Sequence, residues 1–161
     1  MKQELAAAYY QAGIAVVAHH SKYHRVIGDI TLLNFGSGET FISLSRSKCI
    51  ENGMPPHEES KNDPDVSKDL AIILSAGTVA EHIGSESDAN IKPSKNASGS
   101  EYMKAVEKIK NTEHSQKYDF HHANARLELE KHWDSVERLA QLLFKNTTAT
   151  SEDIDIILNN H

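Results

Sequence analysis

Histidine is the residue with chemical potential that this chain has in excess: ten of them in 161 residues. His20 and His24 stand four apart with His19 beside them, a spacing that puts two imidazoles on one helix face for a metal. Residue 21 is Ser rather than the glutamate of a peptidase motif, and the helical pattern fades here. The pair is therefore read as exposed and non-binding, and kept only as a weak alternative metal site. A second cluster, His114, Asp119, His121 and His122, opens the last long helical stretch. Adjacent histidines point to different helix faces, so a solvated or capping role is expected. Cys49 has no base beside it in sequence and reads as a structural thiol. Gly36-Ser37-Gly38-Glu39-Thr40 has the glycines of a phosphate loop, but Glu39 stands where the lysine belongs, so nucleotide binding is not expected.

Composition narrows the classes. Hydrophobic residues make up 39% and charged residues 25%, ordinary for a globular protein, and 161 residues suffice for one domain with a real core. The net charge of −6 disfavours a nucleic-acid partner. No apolar run approaches the roughly 20 residues of a membrane span, and no signal peptide is evident. With a single cysteine, a reducing, cytoplasmic setting is expected.

The elements that must position these residues are mainly helical. Gln3 to His20 is apolar on nearly every side, which marks a buried central helix. Val26 to Leu33 and Thr40 to Leu44 predict a hairpin closed by a short glycine loop from Asn34 to Gly38. Glu51 to Pro64, with three prolines, reads as a surface loop. A second helix is expected from Asp65–Ser67 to about Ile83, ended by Gly84. Ser85 to Ser100 reads as exposed and mobile, and helical patterning resumes from Glu101 to Glu113. The longest helix is expected from Tyr118 to Lys145, with Leu129, Trp133, Val136, Ala140 and Leu143 as one buried seam. Thr150 and Asp153 form a capping arrangement for a last short helix. The fold class is mainly α with a small β hairpin, α+β, in one domain over residues 1–161.

The order of four segments resembles the peptidase domain of the FtsH family of ATP-dependent zinc proteases. Ala8-Tyr9-Tyr10-Gln11-Ala12-Gly13-Ile14-Ala15 is similar to the family's zinc helix, Ala-x-His-Glu-Ala-Gly-His-Ala. Leu70 to Glu81 is similar to the helix ending in Gly-Gly-Arg-Ala-Ala-Glu, and Gly99 to Ala105 to Gly-x-x-Asp-Leu-x-x-Ala-Thr. His132-Trp133, Leu139-Ala140 and Ser151 to Ile154 are similar to the last two helices. The likeness runs from Leu5 to Leu158; no ATPase module accompanies it.

The resemblance implies a zinc site whose ligands have gone. Tyr10 and Ile14 take the two histidine positions, Glu101 the third, and Gln11 that of the catalytic glutamate. A phenol titrating near 10 is a poor zinc ligand, and isoleucine has no lone pair. An amide takes no proton near pH 7, and loss of a general base costs about 10²–10⁴ in rate. Tyr10 and Gln11 are expected to bond with Glu101 across the vacated site. The implied protein is an inactive pseudo-metallopeptidase that binds a protein or peptide partner, with no cofactor, and with homo-oligomerisation by family analogy. The rival is a residual zinc hydrolase built on Glu101 and relocated histidines. A third reading is a regulatory partner of a true protease.

Overall fold

The computed structural model describes residues 2–33, 37–93, 106–107 and 118–159, with side chains omitted at 2–4, 37, 118 and 119. Helix α1 (Lys2–His19) runs through the middle, and from Ala6 to Ala18 every residue but Tyr10 is buried. An apolar surface on all sides needs neighbours on all sides, and α1 has them. The sheet covers one flank, α3 (Pro64–Ser87) and α5 (Trp133–Asn146) cover the others, and α4 (Tyr118–Lys131) packs across α3.

Close approach between α1 and α3 depends on missing side chains. A methyl group at Gly13 would lie 2.5 Å from the Ala80 Cβ and 2.8 Å from the Ala76 carbonyl oxygen. Gly77 receives the ring of Tyr10 in the same way, at 2.7 Å from where a Cβ would stand.

The sheet contains β1 (His24–Leu33), β2 (Ser37–Leu44) and β3 (Thr148–Ala149), all antiparallel in the order β2-β1-β3. The expected hairpin is present and longer than the sequence suggested. A bulge separates the pair Ile27↔Phe41 from Thr31↔Glu39, and Gly28 supplies the positive φ of 69° there. The two-residue β3 was not anticipated, being too short for any period. It is held by the preceding turn, where the Leu32 amide donates to the Thr147 carbonyl at 2.7 Å.

Two helical expectations need correction. Gly84 does not stop α3, which runs on to Ser87 and is capped at Asp88. Gly84 is instead buried, with room for a Cβ only 3.0 Å from Ile91, so it is a packing glycine. The stretch after it is thus helical to Ser87, and Ile91 returns to the core; the remainder to Ser100 lies largely outside the described residues, as does most of 101–113. The long C-terminal helix is broken at His132 into α4 and α5, although its seam continues: Leu129, Val136, Ala140 and Leu143 are fully buried and Trp133 partly so. The segment from Glu51 to Pro64 contains a 3₁₀ turn at Glu58–Asn62, and the short α2 (Arg46–Glu51) precedes it. The final helix α6 (Ser151–Asn159) begins with the expected reciprocal cap: Asp153 N donates to Thr150 Oγ1, and Thr150 N to Asp153 Oδ2, each at 3.1 Å. The architecture is mainly α with a small antiparallel sheet.

Candidate functional site

Gln11 and Ile14 are buried in α1 at 6% exposure, and Tyr10 is partly buried. Gln11 faces the sheet. Its Oε1 accepts a hydrogen bond from Thr40 Oγ1 at 2.5 Å, and its aliphatic stem lies against Gly38, where a Cβ would come within 2.9 Å of Cγ. Tyr10 leans the other way, onto Gly77 of α3. Glu101, expected to bond with both, lies outside the described residues, as does His114. Ile14 joins the main core cluster with Val17, Ala76 and Ala80. Residues 10, 11 and 14 thus serve three contacts: helix to helix, helix to sheet, and core.

The remaining sequence candidates are redistributed. Helix α1 ends at His19, so His20 and His24 share no helix face. The expectation of two exposed rings is corrected for both: His20 is half-buried, and His24 is 4% exposed at the start of β1. Its Nδ1 lies 2.6 Å from Asp69 Oδ2. The same carboxylate accepts from the backbone amides of Lys22 (3.2 Å) and Tyr23 (3.0 Å), tying the α1–β1 turn to α3. His20 instead stacks on His132, ring centroids 3.6 Å apart and planes within 5°, while His19 meets His20 edge-on. This ladder joins the end of α1 to the break between α4 and α5.

His121, expected at the surface, is fully buried; burial pushes its pKa below the usual 6.5, with the charges of His122 and Lys68 adding to the shift. Cys49 is buried beside Tyr23 and Val66, and burial pushes its thiol pKa up, away from thiolate chemistry. Gly38 sits within β2, against Gln11, and not in a loop before a helix.

Lys48 was not singled out by the sequence. Its ammonium donates to three carbonyls, those of Ala18 (3.0 Å), His19 (2.8 Å) and His24 (2.5 Å), so it closes the C-terminus of α1. Burial pushes its pKa down, against the pull of Asp69 and Glu51.

A cavity of about 380 Å³ opens beside this turn, between α1, α3 and α4. His20, Lys22, Asp69, Asn124, Glu128 and Lys131 supply its polar lining. The His24–Asp69 pair is the arrangement that orients an imidazole for proton transfer. Ser21 Oγ, in the same turn, donates to the Ala18 carbonyl at 2.7 Å and accepts from the His24 amide, so it is committed to the backbone. Asp69 is likewise committed to the turn. These groups build a junction, and among the described residues its hydroxyl and carboxylate are held by backbone groups. Among the described residues, no group of three or more His, Cys, Asp or Glu side chains could hold a metal.

Compared with known protein families and with curated proteins, the chain matches none. Among the described residues, no helix is long and apolar enough to cross a membrane.

Proposed function

We propose that this chain is a pseudo-metallopeptidase: a domain with the helical plan of the FtsH peptidase that acts by binding a protein or peptide and does not cut. One observation carries the reading. The side chain at the general-base position, Gln11, is buried and accepts the Thr40 hydroxyl at 2.5 Å, so it holds α1 to the hairpin. Ile14, at a ligand position, offers carbon only and belongs to the core. A partner has two surfaces to choose from, the cavity at the end of α1 and the exposed face of the sheet. Homo-oligomerisation and a cytoplasmic setting belong to the same proposal, the latter supported by a sequence with one cysteine, Cys49, which is buried.

The test is zinc content together with hydrolysis. Protein purified without chelator is expected to carry no stoichiometric zinc and to leave casein and unstructured peptides intact. Peptide cleavage that a chelator abolishes, and that fails in Glu101→Ala, would establish the rival residual hydrolase instead.

A further inference from the structure

Side chains alternate strictly along the β1–β2 ladder on either side of its bulge. Val26, Ile42 and Leu32 pack on the core, and Thr40 meets Gln11. The opposite face points away from the protein, and its centre is the cross-strand pair Ile27↔Phe41, 39% and 53% exposed. At one end of that pair stands Arg25, opposite Ser43, with Arg46 lining the same open cavity as Arg25. At the other end stands Glu39, opposite Thr31. Arg25, Arg46 and Glu39 are exposed and make no ion pair among the described residues. The face therefore reads positive, apolar, negative along the strand direction.

We propose that this face is a two-fold interface between two copies of the chain, with Ile27 and Phe41 packed on their equivalents and Arg25 of each copy against Glu39 of the other. A half-turn about an axis crossing the strands at the Ile27–Phe41 pair reverses the order of the charges. The face then becomes its own complement, as an isologous contact requires. A uniformly charged partner would be repelled at one end. The net charge of −6 opposes random association, so the registered charges select this one geometry. The apolar centre is small against the roughly 800 Å² per partner of a standard interface, so the dimer is weak and salt-sensitive. The proposal deepens the binding function by naming one partner, yet it depends on the sheet face and not on the zinc positions. Its failure would leave the zinc and hydrolysis test standing.

Sedimentation equilibrium of the full chain, from low micromolar to several hundred micromolar, should show a monomer–dimer equilibrium that high salt weakens. R25E and E39R, each checked for native circular dichroism, should each weaken self-association about tenfold by setting like charges opposite each other. Mixing R25E with E39R should restore a dimer, because in the mixed pair both contacts again join opposite charges. F41E should abolish dimerisation. A chain that stays monomeric throughout overturns the proposal. So does a dimer indifferent to F41E, or one in which the mixed variants pair no better than each variant alone.

Discussion

Thr40 Oγ1 donates to Gln11 Oε1 at 2.5 Å, joining the second strand, where Thr40 is half-buried, to the central helix, where Gln11 is buried. Under the proposed resemblance, Gln11 is the residue that takes the general-base position. An amide is suited to this strut: it stays neutral at all working pH values and so carries no charge-desolvation cost between helix and sheet. Gly38 lets the strand approach the Gln11 stem, so hairpin and helix fit together through one glycine and one hydrogen bond.

Removing the donor alone should therefore cost more than removing both partners. Thr40→Val keeps the shape and strands a buried amide oxygen, an expected loss of about 1–3 kcal/mol in urea unfolding. Adding Gln11→Leu should recover part of it, and Thr40→Ser should stay close to wild type. Equal stability of T40V and wild type would show that the bond contributes nothing.

Gly13 makes the opposite demand on sequence. Elsewhere in a helix, Gly→Ala gains about 1 kcal/mol of propensity. Here the new methyl would meet Ala80 Cβ at 2.5 Å and a backbone carbonyl at 2.8 Å, neither of which can swing aside. Overpacking of this kind costs about 1–3 kcal/mol, so Gly13→Ala should lower the urea midpoint. Gly13→Ala combined with Ala80→Gly should regain part of the loss, because the first of those contacts disappears.

These contacts mark the boundary of what was legible. An unbroken apolar run from Ala12 to Ala18 can only be a helix surrounded by protein, so α1 announced itself. The Thr150–Asp153 cap was equally plain, since its partners are three residues apart. Gly84 misled because a C-terminal stop and a packing glycine leave the same letter; only the position of Ile91 distinguishes them. The interruption at His132 was invisible because a one-residue break leaves the apolar seam in phase from Leu129 to Val136. His24 and His121 were misplaced for a related reason. Their burial depends on α3, through Asp69 in the first case, 45 residues away, and nothing local encodes that.

Buried His121 should make the fold acid-sensitive. Its pKa lies below 6.5, so in mild acid the unfolded chain takes up a proton that the folded chain refuses. Its contribution to stability is complete above pH 6.5 and declines as the pH falls from 6.5 toward the folded-state value. The slope in that window is at most about 1.4 kcal/mol per pH unit from this one group. Urea midpoints measured at pH 7.5 and 5 for wild type and His121→Leu should converge at the lower pH relative to their difference at the higher. An identical pH dependence in the two proteins would place the acid sensitivity elsewhere.

The zinc-helix resemblance itself can be tested by reversing it. Tyr10 and Ile14 lie one turn apart on α1, so the double variant Y10H/I14H puts two imidazoles at the i, i+4 spacing that holds zinc. Ile14 is only 6% exposed, and an imidazole there loses packing, so the variant should be less stable than wild type without metal. If Glu101 completes the set, as the resemblance implies, zinc should bind one per chain and raise the melting temperature with zinc concentration, as any ligand of the native state does. Y10H/I14H/E101A should keep the lowered stability and lose the zinc response. Tyr10→His alone, which leaves Ile14 in place, should lose some of the ring's packing on Gly77 but show no zinc response. A double variant that keeps native circular dichroism yet takes up no zinc would separate this helix from the peptidase pattern it resembles.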